Sequence, residues 1–75
     1  MFHRVARTLT GRDAETYTLF EVQWHNLWYL VTMLNQSTPI ILWVERWHQD
    51  AFPEVLSLTS WEAQEIQTYL QQSAY

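Results

Sequence analysis

Thr16-Tyr17-Thr18-Leu19-Phe20-Glu21-Val22-Gln23-Trp24-His25-Asn26-Leu27-Trp28-Tyr29-Leu30-Val31-Thr32-Met33-Leu34 is the stretch on which the fold turns. Phe20, Val22 and Trp24 alternate with Glu21, Gln23 and His25, the period of two expected of a half-buried strand. His25-Asn26 reads as a tight turn, because Asn tolerates the left-handed backbone that hairpin loops need, although the stronger Asn-Gly signal is missing. Leu27 to Leu34 follows as a nearly continuous apolar strand. A two-residue loop sets Trp24 opposite Leu27 and Val22 opposite Tyr29, which leaves Trp28 on the outer face. A three-residue loop sets Trp24 opposite Trp28 and Val22 opposite Leu30, which buries Trp28. The two readings differ by one residue of register, and one residue exchanges the faces of a strand.

Outward from this hairpin, Thr10-Gly11-Arg12-Asp13 reads as a turn, and Phe2 to Leu9 before it as an edge strand. Val5 and Leu9 are expected on one side of it, Phe2 and Ala6 on the other, and its arginines suit an edge, where charge discourages unwanted pairing. On the other side, Asn35-Gln36-Ser37-Thr38-Pro39 is a second turn. It leads into Ile40-Ile41-Leu42-Trp43-Val44-Glu45, whose β-branched and aromatic residues favour a strand. His48 to Pro53 is loop, and Val55 to Leu58 a short fifth strand. Thr59-Ser60-Trp61-Glu62 then forms a capping box, with Thr59 as N-cap, Glu62 at the third helical position, and Leu58 and Ala63 as the hydrophobic staple. The helix it opens covers about residues 60–73. Its stripe of Ala63, Ile66 and Tyr69/Leu70 faces the core, and Glu62, Glu65, Gln67 and Gln71 face solvent.

The expected fold is a single α+β domain over 1–75: a four- to five-stranded antiparallel sheet, or a small SH3/Tudor-like barrel, with one C-terminal helix. An all-α, three-helix chain is the alternative. Glu15, Thr18, Glu21, His25, Tyr29 and Thr32 also recur at intervals of three to four, and Thr38-Pro39 could open a helix. The β-branched and aromatic enrichment over 16–44 favours the sheet.

The chain has five tryptophans, four tyrosines, three phenylalanines and no cysteine in 75 residues. A domain of this size buries only about 60% of the surface its unfolded chain exposes. With no disulfide or thiolate metal site to supplement the core, aromatic packing and association remain. Charge is segregated: Arg4, Arg7 and Arg12 precede the first acid, while the rest carries one arginine and eight acids, for a net charge of −4. Lysine is absent, and an acidic body disfavours non-specific nucleic-acid binding, which depends on clustered cations. The three N-terminal arginines are solvated or self-paired groups, or else an anion- or partner-binding patch. The N-terminus has no apolar h-region, so the expected location is cytoplasmic. The longest apolar run, Leu27 to Leu34, falls far short of the ~20 residues that span a bilayer.

A single glycine leaves no room for a phosphate loop or dinucleotide fingerprint. Glu45-Arg46-Trp47-His48 has the Glu-x-x-His spacing of di-iron bundles, but the second copy and further carboxylates are missing, so no metal is expected. Ser37, Ser57, Ser60 and Ser73 have turn or capping roles, and Glu62 and Glu65 lack the cleft that would separate their pKa values. Neither an enzyme nor a cofactor is indicated. The tryptophans remain. Trp24, Trp43 and, in one register, Trp28 are expected in the core. Trp47 and Trp61 sit at element ends, where burial is hardest to complete, and Trp43 and Trp47 share a face because a spacing of four satisfies both helix and strand.

Taken in order, Phe2–Leu9, the Gly11 turn, Tyr17–Trp24, Asn26-Leu27-Trp28-Tyr29-Leu30-Val31 and Leu58-Thr59 into the helix resemble small Tudor- and SH3-like domains. Residues 39–53 exceed that pattern. The resemblance implies a compact barrel that docks onto signalling or transcription proteins through aromatic and charged surface. The expected function is a protein-interaction module, an adaptor or regulatory subunit, presenting Trp28, Trp47, Trp61 and Arg46 to a protein partner or to its own copy. The alternative is a nucleic-acid- or transcription-associated β domain that uses the Arg4, Arg7 and Arg12 end with aromatic stacking.

Overall fold

Positive φ at two consecutive residues, His25 (52°) and Asn26 (60°), closes the central hairpin with a two-residue loop. This is the backbone of the primed turns, whose twist matches that of the flanking strands. The register follows: Trp24 pairs with Leu27, Val22 with Tyr29 and Phe20 with Val31. Trp28 therefore points away from the core.

The computed structural model describes residues 1–73. Strands β1 (Phe2–Thr10), β2 (Thr16–Trp24), β3 (Leu27–Asn35), β4 (Ile40–Trp47) and β5 (Glu54–Val55) precede helix α1 (Trp61–Ser73). They form one antiparallel sheet in the order β1-β2-β3-β4-β5. The sheet-plus-helix α+β architecture is as expected, and the three-helix alternative is not adopted. The ladder ends at β1 and β5, an open sheet rather than a closed barrel among the described residues.

One face of the sheet carries the core. Phe20 and Val22 of β2, Tyr29, Val31 and Met33 of β3, and Ile41 and Val44 of β4 are buried there. Ala63, Ile66 and Leu70 of α1 cover them, spaced at helical intervals along one stripe as the sequence predicts. Gln67 and Gln71, expected to face solvent, instead bond the start of β4: Gln67 Oε1 accepts the Ile41 N–H at 2.9 Å, and Gln71 Nε2 donates to the Pro39 carbonyl at 2.6 Å. Because β5 is only two residues long, these side chains satisfy a part of the β4 edge that no strand reaches. On the other flank, His3 Nδ1 and the Tyr69 hydroxyl share a hydrogen bond of 2.7 Å that ties β1 to the helix.

Two further details differ from the sequence reading. The helix cap is Ser60, not Thr59: Ser60 Oγ accepts the Ala63 N–H at 3.3 Å, and the Ser60 carbonyl accepts the Gln64 N–H at 3.1 Å. A turn from Ser57 to Ser60, closed by the Ser60 N–H on the Ser57 carbonyl, sets the helix start one residue later and makes Trp61 its first residue. The fifth strand is Glu54–Val55 rather than Val55–Leu58. Leu56 donates one more hydrogen bond to the Val44 carbonyl and is buried, after which the chain leaves the sheet.

Strands β1 and β4 each carry a bulge. Val5 pairs with Phe20 and Arg7 with Leu19, so Ala6 is the extra residue in β1. Val5 consequently lies on the helix side and Leu9 on the opposite side, which corrects the expectation that they share a face. In β4, Trp43 pairs with Thr32 and Ile41 with Met33, leaving Leu42 as the extra residue. The phase change turns Ile41 inward and Ile40 outward, while Trp43 keeps the outward face it shares with Trp47 by regular alternation, so Trp43, expected in the core, is 44% exposed.

A left-handed backbone strains a residue with a Cβ by about 1–2 kcal/mol, and glycine removes that strain. Asn26→Gly is therefore expected to stabilise the chain by about 1 kcal/mol. Thermal unfolding should show this as a rise in Tm of about 4–8 °C.

Candidate functional site

Among the described residues, no layer of structure covers the face of the sheet opposite α1. Its composition follows from the registers, which align side chains across β1, β2, β3 and β4 in rows. The first row is Phe2, Gln23, Trp28, Trp47. The second is Arg4, Glu21, Leu30, Glu45, and Val55 extends it on β5. Arg7, Leu19, Thr32 and Trp43 form the third. Leu9, Tyr17, Leu34 and Ile40 form the fourth. Ten of these seventeen positions are hydrophobic side chains other than tyrosine, on a surface with nothing above it. Trp28, Trp43 and Trp47 are 36%, 44% and 47% exposed, and Phe2 is 53% exposed.

The first two rows build a groove of about 620 Å³, whose lining includes Arg4, Glu21, Trp28, Leu30, Trp47 and His48. Its floor is aromatic. The Arg4 guanidinium carbon lies 5.0 Å from the Trp28 ring centroid, a cation–π contact, while Arg4 Nε donates to Glu21 Oε1 at 3.0 Å. Phe2 meets Trp28 edge to face at 6.4 Å between centroids. The Arg4–Glu21 pair is exposed on both sides and adds at most about 1 kcal/mol to stability. Its effect is to hold the cation over the indole. On the adjoining row Trp43 Nε1 donates to Glu45 Oε1 at 2.8 Å, which satisfies the indole N–H and leaves its faces open.

The structure brings together three of the residues singled out in the sequence, Trp28, Trp47 and Arg4, and places Arg7 on the same face. Arg12 is exposed in the turn between β1 and β2. The other two lie elsewhere. Trp61 is 62% exposed but stands on the helix side, edge-on to Trp24 at 5.4 Å. Arg46, which alternates onto the helix side of β4, bonds Glu54 Oε1 at 2.7 Å through Nη2. Trp24, as expected, packs against the core, with its ring 6.0 Å from Tyr29. Phe2 and Trp43 join the outer face without having been singled out for it. For Trp43 the signal was its spacing of four from Trp47, which sets the two on one face of the strand. A signal for the face as a whole was present in the nearly unbroken apolar run of β3, because strands covered on both sides read that way.

Among the described residues no group of three His, Asp or Glu is placed to hold a metal ion, and no helix is long and apolar enough to cross a membrane. No known family, curated protein or solved structure matches this chain.

Two carboxylates near the rim and the first turn are held below the usual range. The Arg46 guanidinium and then the His48 ring lower Glu54. Backbone N–H groups and the Tyr17 hydroxyl lower Glu15, which accepts from Tyr17 at 2.9 Å and from the Asp13 N–H at 2.8 Å. In the folded chain both stay ionised to a lower pH than in the unfolded chain, so their stabilisation is complete above the ordinary carboxylate pKa. It is lost as pH falls through the depressed folded values. Tm should therefore decline as pH falls below the ordinary carboxylate pKa of about 4, and in Glu15→Gln/Glu54→Gln the decline should be shallower.

Proposed function

We propose that this chain is a small protein-interaction module, an adaptor or regulatory subunit of the cytoplasm and not an enzyme, that takes a protein surface onto the outer face of its sheet. Strand β3 carries the reading. Its inward residues Tyr29, Val31 and Met33 are sealed by the helix, while three of its four outward residues, Trp28, Leu30 and Leu34, are as apolar and, among the described residues, have no layer above them. Contiguous exposed apolar patches beyond a few hundred Å² mark interaction sites. Tryptophan and arginine are the residues that most often dominate such interfaces, and Trp28, Trp47 and Arg4 converge in the groove. The Arg4–Glu21 pair, with Glu45 on the same row, gives the patch polar groups that can fix the orientation of a partner.

The acidic body and the lack of lysine weigh against a nucleic-acid partner, since only Arg4 and Arg7 supply cations to the rows of this face.

The test is capture from the native cell with the intact chain as bait. Trp28→Ala and Trp47→Ala are each expected to weaken capture by about 2 kcal/mol, roughly thirtyfold in affinity. Trp61→Ala, on the far side, should leave it unchanged. Capture that survives Trp28→Ala and Trp47→Ala but falls steeply with salt and with Arg4→Ala or Arg7→Ala would overturn this reading in favour of nucleic acid.

A further inference from the structure

We propose that the occupant of the outer face is a second copy of this chain, packed face to face about a twofold axis that runs parallel to the strands between β2 and β3. The inference rests on the reading of this face as a protein interface and names the partner. Its basis is that the face is complementary to itself. A twofold axis in that position keeps each row in place and reverses strand order, so β1 of one copy lies over β4 of the other. Row by row, Phe2 then meets Trp47, Arg4 meets Glu45, Arg7 meets Trp43, and Leu9 meets Ile40.

Each of these edge pairings matches in kind, while at the centre Glu21 stays paired with Arg4 of its own chain and Leu19, Trp28, Leu30 and Leu34 supply apolar contact. Two cations and no acid lie on β1, and the acid on the outer face of β4 is Glu45, so the charges of one edge meet the opposite charge or an indole of the other. Arg7, which stands across from Leu19 within its own chain, gains the face of Trp43. The aromatic and aliphatic rows stack on one another as the inner faces of a two-sheet sandwich do, about 10 Å apart and within about 30° of alignment.

The area is also sufficient. Six large apolar side chains in the rows of β1–β4, Phe2, Leu9, Trp28, Ile40, Trp43 and Trp47, are exposed, and at about 150–250 Å² each when fully exposed they leave roughly 600 Å² accessible. A stable interface buries about 800 Å² per partner, and the half-covered Leu19, Leu30, Leu34 and Tyr17 make up the difference. Association through the sheet edges is blocked by comparison. The β1 edge is broken by the Ala6 bulge and carries arginines, and the β4 edge is taken by β5, Gln67 and Gln71.

Sedimentation equilibrium of the full chain over a micromolar range should give a mass twice the 9.1 kDa of one chain. Trp43→Glu/Trp47→Glu should be monomeric with an unchanged far-UV circular dichroism spectrum, and Trp61→Glu should remain dimeric. Glu45→Arg and Arg4→Glu, which set like charges opposite each other in both halves of a homodimer, should each weaken it at least ~10-fold. An equimolar mixture of these two variants should recover dimerisation, because in the mixed dimer one reversed pair and one native pair are both attractive. A wild-type chain that stays monomeric at about 200 μM, weaker than any specific dimer of this area, overturns the proposal. So does a dimer that Glu45→Arg and Arg4→Glu leave intact, or a mixture that does not recover. If the chain is monomeric while Trp28→Ala and Trp47→Ala still abolish capture from the cell, the self-association fails and the interaction reading stands. If capture is unaffected as well, both fail.

Discussion

The left-handed pair His25-Asn26 sets Trp24 against Leu27, and the division of the molecule into a sealed face and an open one follows from that pairing. With one more residue in the loop, Trp28, Leu30 and Leu34 would point at the helix, and Tyr29, Val31 and Met33 would stand outside. Neither residue is the glycine that this geometry favours, so the turn is held against a local preference by the strands on either side. The ladder between β2 and β3 runs unbroken for nine pairs and contains no bulge. Its regularity enforces the turn, and the turn in turn fixes its register.

The helix then resolves only half of what the sheet requires. One stripe of three buried residues on α1 closes the inner face, two glutamines cap the free part of the β4 edge, and the His3–Tyr69 hydrogen bond secures β1. No further element remains in the described chain to cover the outer face. Its polar groups are spent in exposed pairs, Arg4 with Glu21 and Trp43 with Glu45, which contribute little stability. Their value lies in geometry, because each fixes a charged or aromatic group in position before anything arrives to meet it.

Most of the strand content was legible in the sequence because alternation in Phe20–Trp24, the β-branched and aromatic enrichment over 16–44 and the turn chemistry at 25–26 and 35–39 agree. The helix was legible from its apolar stripe. The bulges were not. Ala6 and Leu42 carry no glycine or other local signature, so strict alternation through β1 puts Leu9 on the side of Val5, while Trp43 is misplaced because a large apolar side chain favours the core even where its spacing from Trp47 puts both on one face. The cap was missed by one residue because Thr59 and Ser60 are both good N-caps, and the choice between them is made by the Ser57 turn. At the site, Trp28 could be assigned only once the loop length was known, while Trp47 was recognisable from its place at the end of a strand. Trp61 and Arg46 were grouped with it on exposure and proximity in sequence, neither of which distinguishes the two sides of a sheet.

The placement of the two bulges also determines where this chain can change length. In β2 and β3 the loss of one residue would exchange core and surface along the rest of the strand. At Ala6 or Leu42 it would only straighten the ladder, since the flanking residues already face the directions a regular strand would give them. Deletions and insertions should therefore accumulate at these two sites and not in the hairpin between them. Straightening β1 has its own cost: without the Ala6 kink it becomes a long, flat edge strand, one side of which is free to template fibres, with two arginines as its main protection.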